Sequence, residues 1–123
     1  MTAAKTILTV DDSQTMRDML RAALSDMGHR VVQAVDGVAG VEALAETRPD
    51  VIITDVNMPR LDGFGFIAKV RQDPRHRATP ILVLTTESDP ERKERARQAG
   101  ATGWIVKPFD PAKLADAIRR VTA

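Results

Sequence analysis

The chain has 123 residues, 18 Lys and Arg against 17 Asp and Glu for a formal net charge of +1, and no cysteine. That length suits one domain with a real core, excludes a disulfide framework or thiolate metal site, and the balanced charge argues against a nucleic-acid binder held by counterion release. No stretch approaches the length of a membrane span, and the apolar run after Met1 meets two aspartates too early for a signal peptide, so a cytoplasmic protein is expected.

The first run, Ile7-Leu8-Thr9-Val10, ends in Asp11-Asp12 and reads as a buried strand. Met16, Met19, Leu20, Ala23, Leu24 and Met27 then repeat at helical spacing, with Asp12-Ser13 placed to cap the helix and Gly28 to end it. Val31 to Ala34 is a shorter, weaker strand candidate, and Val38, Val41, Leu44 and Ala45 mark a helix after Asp36. Val51-Ile52-Ile53-Thr54 is a second strong strand, running into Asp55, and Phe64, Ile67 and Val70 mark a third helix that stops at Asp73-Pro74.

Ile81 to Leu84 runs into Thr85-Thr86, and Trp104-Ile105-Val106 runs into Lys107-Pro108. Asp89-Pro90 and Asp110-Pro111 each place an acceptor at the N-cap and proline at the first helical position. The helix from about Pro90 to Ala99 is polar nearly all round, with only Ala96 and Ala99 apolar; a solvated helix held by propensity and by a pair such as Glu91 with Arg95 is expected. Leu114, Ala117, Ile118 and Val121 mark the last helix. Five β-α units imply an α/β three-layer sandwich on a parallel sheet with right-handed crossovers. Residues 1–123 are expected to form a single domain without an effector domain.

In an open parallel sheet, ligands bind outside the carboxyl ends of the strands. Those ends carry Asp11, Asp12, Asp55, Thr85 and Lys107. Crowded carboxylates repel, and a hard divalent cation resolves the conflict; Mg²⁺ takes oxygen ligands from one or two carboxylates and keeps several waters. Three acids against Mg²⁺ and Lys107 sum to zero charge. A carboxylate can also attack phosphorus to give an acyl phosphate, and such transfer needs in-line positioning and neutralised oxygens more than covalent help. The ammonium of Lys107, the hydroxyl of Thr85 and backbone N–H groups after Asp55 suit those contacts. His29 and His76 have no third ligand at a metal spacing and read as solvated loop residues. No glycine pattern forms a phosphate-cradling or dinucleotide-binding loop.

Taken together, Asp11-Asp12, Asp55-Val56-Asn57-Met58-Pro59 with Gly63, Thr85-Thr86-Glu87 and Gly103-Trp104-Ile105-Val106-Lys107-Pro108-Phe109 closely resemble the response-regulator receiver domains, and within them the single-domain chemotaxis regulators. The resemblance covers nearly the whole chain. It implies a flavodoxin-like (βα)5 fold with strand order 2-1-3-4-5 and a cis peptide between Lys107 and Pro108. It implies that Asp55 is the phosphoacceptor. Asp11, Asp12, Asp55 and the backbone carbonyl of Asn57 would serve Mg²⁺, Lys107 would pair with the phosphoryl oxygens, and Thr85 would move toward them. Trp104, bulkier than the tyrosine or phenylalanine usual at its position, would turn inward as Thr85 moves, and Asn57 and Glu87 would set the lifetime of the acyl phosphate.

The expected output face is the fourth helix, fifth strand and last helix, with Lys93, Arg97, Trp104 and Lys113 exposed on it. The resemblance implies a histidine kinase as donor and a partner such as the flagellar motor switch, with no enzyme activity beyond self-directed phosphotransfer and autodephosphorylation. A phosphate sink or phosphorelay carrier is the alternative. A phosphatase of the aspartyl-phosphate type is disfavoured, because Asn57 stands where such enzymes carry a second acid.

Overall fold

The computed structural model describes residues 4–122. Its elements run β1 (Thr6–Val10), α1 (Gln14–Asp26), β2 (Arg30–Ala34), α2 (Gly37–Glu46), β3 (Val51–Thr54), α3 (Gly63–Gln72), a 3-10 turn (Pro74–His76), β4 (Ile81–Thr85), α4 (Pro90–Ala99), β5 (Gly103–Val106) and α5 (Pro111–Thr122). The five strands form one parallel sheet in the order β2-β1-β3-β4-β5.

Side chains of a strand alternate between the two faces of its sheet. Leu8, Val10, Ile52, Ile81 and Val83 pack with Leu44, Phe66, Ile67 and Val70 of α2 and α3. Ile7, Val51, Ile53, Leu82 and Leu84 pack on the other face with Leu20, Leu24, Leu114 and Ile118 of α1 and α5. The central strands β1, β3 and β4 are therefore apolar at almost every position, as a sheet covered on both sides requires.

The caps follow the expected chemistry. Ser13 accepts from the Met16 amide, Asp36 from Ala39, Asp62 from Gly65, Asp89 from Glu91 and Asp110 from Ala112. Helix α1 closes at Met27, with Gly28 in the left-handed region beyond it. Three expectations change at the periphery. Val106 on the edge strand β5 and Met19 on α1 are large apolar residues that stay exposed.

Both histidines are buried rather than solvated: His29 Nδ1 accepts from the Lys5 amide just before β1, and His76 lies in the 3-10 turn. On α4, Glu94 pairs with Arg97, not Glu91 with Arg95, because Arg95 lies over the Phe64 ring, 4.2 Å from its centroid.

The C-terminal end of α4 is tied down by one side chain. Arg71 of α3 donates from Nε and Nη2 to the Gly100 carbonyl (3.0 and 2.8 Å), and from Nη1 to the carbonyls of His76, Arg77 and Thr79. Gly100 ends α4 at φ 118°, and a Cβ there would lie 2.8 Å from Arg71 Cγ, so glycine serves both the turn and the approach of the guanidinium.

Candidate functional site

Register brings the strand ends together. Val10 pairs with Thr54, and Thr85 with Val106, so Asp11 lies beside Asp55 and Lys107 follows β5 beside the end of β4. Backbone bonds lock the arrangement beyond the strands: Asp55 N donates to the Val10 carbonyl (3.0 Å), and Lys107 N to the Thr85 carbonyl (2.7 Å). Gly63 lets α3 close onto β3, since a Cβ there would meet the Asp55 carbonyl oxygen at 2.3 Å.

Carboxylate oxygens of Asp11, Asp12 and Asp55 lie within 4.8 Å of one another. Lys107 Nζ donates to Asp11 Oδ2 (2.9 Å) and to Asp55 Oδ2 (2.7 Å), and its side chain is only 10% exposed. The remaining oxygens are also held: Asp55 Oδ1 accepts from the Val56 amide (2.6 Å) and distantly from that of Asn57 (3.4 Å), and Asp11 Oδ1 from Ser13 (2.9 Å). Asp11 and Asp55 are buried and Asp12 is exposed, so the cluster opens to solvent on one side.

Burial pushes the Asp11 carboxyl above its ordinary range, more than the Lys107 hydrogen bond lowers it. Burial works against the Lys107 charge, but its hydrogen bonds to Asp55 and Asp11, with the charges of both carboxylates, outweigh it and hold the ammonium above the usual lysine range. All-oxygen donors, a buried excess of negative charge and an open side fit Mg²⁺.

Around this cluster, Thr85 is fully buried, and its Oγ1 accepts from the Glu87 amide (3.2 Å). Trp104 is half-buried against the core of α2 and α3, and its Nε1 donates to the Glu87 carbonyl (3.2 Å). Lys93, Arg97 and Trp104 meet at a cleft between α4 and β5, whereas Lys113 lies on α5 and does not line it.

Two contacts were not anticipated from the sequence. Arg92 of α4 donates from Nη2 to Asn57 Oδ1 (3.1 Å), its Nε lies 3.5 Å from Glu87 Oε2, and its guanidinium covers Phe64 at 5.3 Å. Arg60, at φ 66°, makes two hydrogen bonds to Asp36 (2.7 and 3.1 Å) and so ties the loop after β3 to the start of α2. The signal for Arg92 was its place on the helix that follows Glu87; for Arg60 the sequence carries none.

A parallel sheet whose carboxyl edge gathers three aspartates around a lysine defines a class of phosphoryl-accepting signalling domains. Residues 7–119 match the response regulator receiver domain family, and the chain belongs to it. The chain is similar to chemotaxis protein CheY1 of Helicobacter pylori, with 40% identity over 94% of this chain and 94% of that protein. It superimposes on the structure of chemotaxis protein CheY4 of Vibrio cholerae with a TM-score of 0.92 and 45% identity, covering 97% of this chain and 99% of the other.

The receiver domain of a sensor histidine kinase from Pseudomonas aeruginosa PAO1, solved with magnesium coordinated in its active-site cleft, gives a TM-score of 0.90 at 31% identity over 98% of each chain. This protein is thus a phosphoaspartate response regulator of the CheY type.

Proposed function

We propose that Asp55 takes a phosphoryl group from a histidine kinase and that the modified protein then binds an output protein, the flagellar motor switch of a chemotaxis pathway. The observation that carries the reading is the single ammonium of Lys107 shared between Asp55 and Asp11 beside Asp12. An Asp55 carboxylate oxygen attacks phosphorus; the bond from phosphorus to the donor imidazole breaks, and the departing nitrogen takes a proton. Lys107 holds Asp55 in place before the transfer and can follow the new phosphoryl oxygens after it. Asp11, Asp12, Asp55 and the Asn57 carbonyl are the residues that would hold Mg²⁺, which when bound offsets the charge of the transferring group.

Signalling follows from Thr85. Its hydroxyl oxygen accepts from the Glu87 amide in the resting state. A phosphoryl group on Asp55 draws the Thr85 hydroxyl as donor and frees the segment to which Trp104 is bonded through the Glu87 carbonyl. The result is a population shift between two packings of the loop after β4, with α4, β5 and α5 as the surface that reads it. The protein acts only on its own aspartate, by phosphotransfer and autodephosphorylation, and works in the cytoplasm. The similarity to two chemotaxis proteins over nearly their whole length supports the motor partner.

The test uses acetyl phosphate with Mg²⁺ and the chain's one tryptophan as reporter. Wild type should take label and change Trp104 fluorescence, and Asp55→Asn should do neither; full-rate labelling of Asp55→Asn would remove Asp55 from this role. A pull-down with beryllofluoride then separates the partners. Retention of a flagellar switch protein supports the motor reading, and rapid back-transfer to a histidine protein supports a relay carrier.

A further inference from the structure

Arg92 reaches from α4 across the rim of the phosphoacceptor site. Its guanidinium joins Asn57, two residues past Asp55, to Glu87, two residues past Thr85. The Phe64 ring lies beside it, its centroid 5.3 Å from the guanidinium carbon. The bridge is incomplete in the resting state. Nε is buried, has no hydrogen-bond partner, and lies 3.5 Å from Glu87 Oε2. A buried N–H without an acceptor is costly, so any movement that brings the carboxylate onto it is favoured. Glu87 is held by two bonds: its amide donates to Thr85 Oγ1 (3.2 Å), and its Oε1 accepts from the Asp89 amide (3.1 Å), leaving Oε2 free to close on Arg92.

We propose that Arg92 is a positioning residue that latches the rim after phosphoryl transfer and prolongs the acyl phosphate. The inference rests on the assignment of Asp55 and Thr85 in the preceding section. When the Thr85 hydroxyl turns to the phosphoryl group it releases the Glu87 amide. Glu87 closes onto Arg92 Nε while Arg92 Nη2 keeps Asn57. The latched rim narrows the approach for water. Hydrolysis forms a bond from the water oxygen to phosphorus; the bond from phosphorus to the Asp55 oxygen breaks with its electron pair returning to the carboxylate, and the water proton passes to the departing phosphate. Arg92 touches none of these atoms and acts through Asn57 and Glu87.

The test is the decay of label on protein modified with acetyl phosphate and Mg²⁺, followed after removal of the donor. Arg92→Ala should lose label faster by roughly threefold, the size expected for one partly exposed ion pair read as a rate. Arg92→Lys, whose compact ammonium lacks the separated donors of the guanidinium fork, should fall between. The effect should largely disappear in a Glu87→Gln background, since the two changes break one contact. A general loosening of α4 would instead add to the effect of Glu87→Gln. Unchanged or slower decay in Arg92→Ala, or additivity with Glu87→Gln, overturns the latch. Failure of wild type to take label at all overturns the assignment of Asp55 and the latch with it.

Discussion

Lys107→Ala should make the acidic cluster bind Mg²⁺ more tightly. Lys107 Nζ sits 2.9 Å from Asp11 Oδ2 and 2.7 Å from Asp55 Oδ2, so ammonium and metal compete for the same two carboxylates. Mg²⁺ held at about 2 Å by those same oxygens would lie no more than about 5 Å from the ammonium. A unit charge and a double charge at about 5 Å repel by about 1.7 kcal/mol even at the dielectric constant of water. Screening at physiological salt, with a Debye length of about 8 Å, leaves about 0.9 kcal/mol, or roughly fivefold in affinity. The Lys107 side chain is 10% exposed, so the effective dielectric is lower and fivefold is a floor.

Without metal the same variant leaves two buried carboxylates unpaired, and it should unfold more easily by up to about 3–5 kcal/mol, with added Mg²⁺ restoring much of the loss. Isothermal titration of wild type and variant with MgCl₂ gives the affinities, and urea melts with and without metal give the stabilities. Equal or weaker Mg²⁺ binding by a folded Lys107→Ala protein would refute the argument.

Three further outcomes follow from the packing and the caps. Gly63→Ala places a Cβ 2.3 Å from the Asp55 carbonyl oxygen and 2.5 Å from Val56 Cα, so α3 must back away from β3; urea melts should show a loss of about 1–3 kcal/mol, and Mg²⁺ titration a weaker site. Phe66→Ala removes a fully buried ring from the core of α2 and α3 and should cost about 3–5 kcal/mol by the same melts. Asp36 is held below its ordinary value of 3.8 by the Arg60 side chain and the Ala39 amide. A depressed carboxylate stabilises the fold above its unfolded value and loses that effect as pH falls through the lowered one. Asp36→Asn, which keeps a capping oxygen, should therefore be less stable than wild type at pH 7, with the difference shrinking below about pH 4 in thermal melts.

Much of the site was legible because it depends on local order along the strands. Ile7 to Val10, Val51 to Thr54 and Ile81 to Leu84 are apolar runs that a doubly covered sheet demands, and each delivers its polar residue at a fixed end. Parallel pairing then brings Asp11, Asp55 and Lys107 together without further information. The contacts that escaped depend on side-chain reach between distant segments. Arg92 meets Asn57 from 35 residues away, and Arg60 meets Asp36 from 24. A long flexible arginine has several oxygen partners within range, and packing against Phe64 selects among them. The same cause displaced the pairing expected on α4: with Arg95 over Phe64, Glu94 is left to Arg97. His29 was misplaced because the Lys5 amide that serves its imidazole comes from the segment before β1, 24 residues away.

The grip of Arg71 on the Gly100 carbonyl turns α4 into a lever with its fulcrum at the far end from the phosphoacceptor. Ten helical residues at about 1.5 Å each give an arm of about 15 Å. Tilting that arm by about 5° displaces its first turn by about 1.3 Å while Gly100 stays in place. A shift of the loop after β4 would therefore displace α4 most where Lys93 stands and least beside Gly100.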